Sequence, residues 1–83
     1  MMTKERLLQR MILEEFEGEY YEVSDALSNG VKNVEREVHL NFQMTGDKEY
    51  TFKPLFQSYL KVLGYETNFE RVSEIIYLTI YVY

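Results

Sequence analysis

The chain has 83 residues, with 14 acids against 9 lysines and arginines, a net charge of −5, one histidine and no cysteine. One small domain spanning 1–83 is expected, because at this length a single core buries roughly 60–65% of the unfolded surface. Disulfides and thiolate metal sites are excluded, and the acidic balance argues against general affinity for phosphate backbones, which are bound by displacing condensed counterions.

Apolar residues make up 46% and aromatic residues 16%, with a single proline, the composition of a chain that packs. The charged start, MMTKERLLQRMILEEF, lacks the apolar run of a signal peptide, and the apolar end, SEIIYLTIYVY, is too short for a spanning helix. A cytoplasmic protein without a membrane anchor is the expectation.

In chain order, Thr3 caps a helix predicted over about Lys4 to Glu17. Leu7 and Met11 form one row, Leu8, Ile12 and Phe16 the next, and Gly18 falls at a left-handed C-terminal cap. Asn29-Gly30 predicts a type I′ hairpin whose two-residue loop puts Val23 opposite Arg36 and Tyr21 opposite Val38. Tyr21, Val23, Val34 and Val38 then share a face; the alternative is a helical turn through Leu27 capped by Ser24.

From Val34 to Met44 the residues alternate, with Val34, Val38, Leu40, Phe42 and Met44 on one face, broken by Arg36, and Glu35, Glu37, His39, Asn41 and Gln43 on a wet one. Thr45 to Lys48 reads as a turn, Tyr50 and Phe52 as a short returning strand, and Pro54 as the first turn of a second helix ending at Gly64. Residues 65–73 are read as extended, although Asn68 could cap a helical turn that aligns Glu66, Glu70 and Glu74. In the last strand Ile76, Leu78, Ile80 and Val82 face the helices, while Ile75, Tyr77, Thr79, Tyr81 and Tyr83 face away.

The expected fold is therefore α+β, in the order α-β-β-β-α-β: an antiparallel meander extended by the C-terminal strand, with two helices packed on one face. Over the first 63 residues this order resembles double-stranded RNA-binding domains. That family grips phosphates with lysines at its second helix, whereas here Lys53 and Lys61 stand in an acidic chain, so RNA binding by that route is rejected.

No catalytic residues, cofactor or metal ligands are assigned. His39 is read as solvated, beside Glu37, and the carboxylates as surface charge. The most uneven charge lies in Glu14 to Asp25, six acids with Tyr20, Tyr21 and Phe16 and no cation. Glu14, Glu15, Glu17, Glu19, Tyr20, Tyr21 and Glu22 form the candidate partner surface, suited to a basic protein because carboxylates steer and tyrosines supply contact area.

The leading expectation is a protein-interaction module that inhibits or modulates a basic or nucleic-acid-handling protein without touching nucleic acid itself; a phage or mobile-element origin would suit its size. The second is an assembly subunit or homodimer pairing through the last strand, with Tyr77, Tyr81 and Tyr83 at the contact. A ligand-binding domain or enzyme with a pocket between helices and sheet is the third.

Overall fold

In a computed structural model, which describes residues 3–82, the chain forms two layers, three helices on one three-stranded antiparallel sheet. The element order is α1 (Lys4–Glu15), α2 (Glu17–Lys32), β1 (Glu37–Gln43), α3 (Lys48–Val62), β2 (Glu66–Val72) and β3 (Ile75–Tyr81). The expected class and the helix-covered face hold. The expected order does not: the observed order is α-α-β-α-β-β, which also removes the resemblance in order to RNA-binding domains.

α1 starts as predicted, with the Thr3 hydroxyl accepting the Arg6 N–H at 3.2 Å. It stops two residues early, at Phe16, whose backbone leaves the helical region (φ −132°, ψ 47°) while its ring is buried. A one-residue junction lets Phe16 lie edge-on to Phe52 and Phe56, at 5.4 and 6.2 Å between ring centroids. Gly18 is therefore not a cap but lies in the first turn of α2.

The predicted hairpin at Asn29-Gly30 is helix throughout. Val23, Leu27 and Gly30 recur at three- and four-residue spacing and are buried, with Tyr20 and Ala26 packed beside them. Tyr21 and Val34, placed on the hairpin's inner face, are exposed. Gly30 serves close packing instead of a turn, since a Cβ there would lie 2.5 Å from Val38 Cγ2.

The alternation read from Val34 to Met44 is realised over Glu37–Gln43, with Val38, Phe42 and Met44 buried. The turn before Lys48 also forms, with Gly46 at φ 70°. It leads into α3, not into a returning strand, because Phe52, Phe56 and Leu60 form a helical i, i+4 row that is completely buried. Pro54 thus lies inside α3, on its exposed side, where it withholds the N–H that the Tyr50 carbonyl would otherwise accept.

Residues 66–72 are extended, as read, and β2 joins β3 through the two-residue loop Ser73-Glu74, with Ser73 at φ 58°. β3 takes the middle of the sheet, in the order β1-β3-β2. β1 and β2 are both antiparallel to it, so the meander is replaced by a parallel pair with a strand inserted between. Ile76, Leu78 and Ile80 face the helices, as expected, and are buried. Phe52 sits at the centre of the core, edge-on to Phe42 (5.3 Å) and Phe69 (6.1 Å) and tilted against Phe56 (4.5 Å). These rings fill the interior between the helices and the sheet.

Candidate interaction surface at the open sheet face and the β1 edge

With all helices on one side, none of the described residues covers the other face of the sheet. The pairing register arranges it in four cross-strand rows: Glu37-Tyr81-Glu66, His39-Thr79-Asn68, Asn41-Tyr77-Glu70 and Gln43-Ile75-Val72. Every one of these residues is exposed except half-buried Thr79. Three carboxylates and two tyrosines are present, with no lysine or arginine. Glu37 and Glu66 flank Tyr81, so the aromatic contact area sits between acids.

One row resembles nucleophile chemistry and was missed in the sequence, where His39 and Thr79 lie 40 residues apart. Thr79 Oγ1 is 3.2 Å from His39 Nδ1, and His39 Nε2 is 3.1 Å from Glu37 Oε2. The tautomer protonated at Nε2 satisfies both, donating to the carboxylate and accepting the hydroxyl proton. The histidine and glutamate side chains are 67% and 47% exposed, and the backbone groups of central β3 are taken up by the ladders on either side. The two contacts hold the imidazole in place across the β1–β3 pair.

The acidic stretch is divided by the turn from α1 to α2. Glu14 closes α1 beside Arg10, an exposed i, i+4 pair at 3.7 Å worth a few tenths of a kcal/mol. Glu15, Glu17 and Tyr21 point to solvent. Tyr20 turns inward, its hydroxyl accepting the Gln9 amide N–H at 2.7 Å and its ring lying 5.9 Å from Tyr59. Burial, and then the neighbouring Tyr20, hold the Tyr59 phenol well above the ordinary tyrosine range. Tyr20 is thus a packing residue, and Tyr21 stands edge-on against it.

Glu19 and Glu22 turn the other way, toward the β1 edge. With Gly18 they form one wall of a cleft of about 260 Å³ whose other wall is Asn41, Phe42 and Gln43. Asn41 and Gln43 also belong to the open face, so the cleft joins that face to the acids of α2. Among the described residues, Glu19 Oε2 is buried without a hydrogen-bond partner.

The tyrosines expected at a self-association contact are on the open face, Tyr77 and Tyr81 together; Tyr83 lies outside the described residues. β3 has a neighbour on each side, so it offers no edge for pairing with a second chain. The sheet's free edges are β1 and β2. On β2, Arg71 is paired with Glu49 of α3 and donates from Nε to the Ser73 carbonyl at 2.9 Å.

Among the described residues there is no group of three or more histidine, aspartate or glutamate side chains placed to hold a metal ion, and no helix long and apolar enough to cross a membrane. The chain matches no protein-family model, and no curated protein or solved structure is significantly similar to it.

Proposed function

We propose that the chain is a protein-interaction module that binds, and so modulates, a basic protein through the open sheet face and the acids of α2. The observation that carries this reading is continuity: a face bearing Glu37, Glu66 and Glu70 around Tyr77 and Tyr81, without a cation, runs through Asn41 and Gln43 into Glu19 and Glu22. Size supports the combined surface. A seven-residue, three-stranded face measures roughly 20 by 15 Å, well under the ~800 Å² that a stable interface uses on each partner. Area from α2 is needed as well.

Of the original acidic set, Glu19 and Glu22 are the residues assigned to contact. Glu14, Glu15, Glu17 and Tyr21 supply rim and long-range steering. A homodimer is the second reading, favoured by the same exposed tyrosines, but it would have to stack sheet faces that are both acidic.

The test is capture of partners from a lysate at low and high salt, then titration of the purified partner against two double variants, Glu19→Lys with Glu22→Lys and Glu66→Lys with Glu70→Lys. Salt-sensitive binding lost in both variants supports the module. Undiminished affinity in both variants would sink it.

A further inference from the structure

The backbone of β1 specifies how such a partner is held. Two bonds at its ends, Val82 N–H to the Arg36 carbonyl and Met44 N–H to the Glu74 carbonyl, both 2.8 Å, set the phase of the β1–β3 ladder. Even-numbered residues of β1 bond to β3. The odd-numbered ones, Glu37, His39, Asn41 and Gln43, therefore turn their N–H and C=O groups outward along the sheet edge. Pairing is unbroken from Glu37 to Gln43, without a bulge, and the strand has no lysine or proline, the usual devices that blunt an exposed edge.

The acidic cleft runs beside this edge. A strand laid on β1 would send alternate side chains toward the helix layer, into the space between Glu19, Glu22 and Phe42, and the others onto the open face. Gly18 widens the entrance, because a Cβ there would meet nothing within 4 Å. Glu19 and Glu22 line that space, and their carboxylates supply acceptors for a cation arriving from that direction.

We infer that β1 accepts an extended segment of a partner protein as a fourth strand, with lysine or arginine at the positions that face α2. The inference rests on the basic-partner reading above and adds the mode of binding. The occupant is not a second copy of this chain, since β1 pairing with β1 would bring a second acidic α2 beside the first and leave Glu19 without a cation. Backbone bonds hold the segment, and the cleft selects its charge.

The probe is a nine-residue peptide of alternating arginine and valine, compared with the same peptide N-methylated on the backbone of alternate residues. Both carry the same charge, but only the first can extend the ladder. Full-length protein should bind the first at least about tenfold more tightly, the equivalent of two or three backbone hydrogen bonds. Amide exchange should slow at Glu37, His39, Asn41 and Gln43. Asn41→Pro, which removes an outward N–H and no ladder bond, should weaken binding by a similar factor, and Glu19→Gln should weaken it while strand protection persists.

Equal affinity for the two peptides, with unchanged exchange along β1, would overturn strand addition while leaving the basic-protein reading to the charge-reversal test. Failure of the unmodified peptide to bind would overturn it too. So would a dimer whose sedimentation is abolished by Asn41→Pro, because the edge would then belong to a second copy.

Discussion

The C-terminal ends of α2 and α3 are closed by the same backbone pattern. At α3, Gly64 takes φ 98° and the Tyr65 N–H reaches back to the Leu60 carbonyl at 2.9 Å. At α2, Val34 takes φ 55° and the Glu35 N–H reaches back to the Gly30 carbonyl, also at 2.9 Å. Both are six-to-one closures that turn the chain out of a helix toward a strand of the sheet. One uses a residue without a Cβ. The other forces a β-branched side chain into the left-handed region, at a cost of roughly 1–2 kcal/mol. The path to the next strand dictates the closure, while the residue at the bend only sets its energy.

The largest expected effect comes from making α3 resemble α2. Gly64→Val should lower stability by about 2–3 kcal/mol, because φ 98° lies beyond the ordinary left-handed well; a urea midpoint unchanged by the substitution would mean that the residue at the bend does not set the energy of the closure. Next comes Gly30, whose carbonyl accepts the α2 closure and whose missing Cβ admits Val38. Gly30→Ala should cost about 1–2 kcal/mol, overpacking outweighing a helix-propensity gain of about 1. The loss should shrink in a Val38→Ala background, whereas Gly18→Ala, with open space around it, should stabilise by about 0.5–1 kcal/mol.

The converse substitution, Val34→Gly, should raise stability by about 1 kcal/mol, strain relief exceeding the added freedom of the unfolded chain. Calorimetry on Val34→Gly and on the double swap with Gly64→Val would show whether the two closures are independent. The smallest effect at ordinary pH is the titration of Tyr59, in the last turns of α3. Its folded phenol is raised above the unfolded value of 10.0, so its contribution is fully present below pH 10 and is lost as pH climbs toward the folded value. Tyr59→Phe should flatten that alkaline decline and leave stability near pH 7 little changed.

The two closures also explain why the sequence was legible at one place and opaque at another. Gly64 follows an apolar helical row and reads as a cap. At α2 the left-handed residue is a valine, which carries no turn signal, while Asn29-Gly30 just upstream carries the strongest hairpin signal in the chain. Helical spacing of Val23, Leu27 and Gly30 was hidden because glycine does not register as a core residue. In the same way the alternation of Phe52 with Tyr50 reads as a strand, although Phe52, Phe56 and Leu60 make the buried row of α3. Of the candidate site, the acidity of α2 and the tyrosine face of β3 were legible. Their meeting at β1 was not, because it depends on which strand is central.

By itself the sequence determined the local and compositional features: the Thr3-capped start of α1, the two-residue period of β1 and β3, the α+β class, a net negative charge and a core of aromatic and aliphatic residues. These follow from spacing and side-chain chemistry within a few turns of chain. Only the tertiary structure decided that the Asn29-Gly30 region is helix, that β3 lies between β1 and β2, and that β1 is left as an edge beside Glu19. Those outcomes rest on tertiary contacts between elements, above all the Gly30–Val38 approach of α2 to β1 and the rings gathered around Phe52. Burial of that shared core outweighs the turn preference of a single dipeptide.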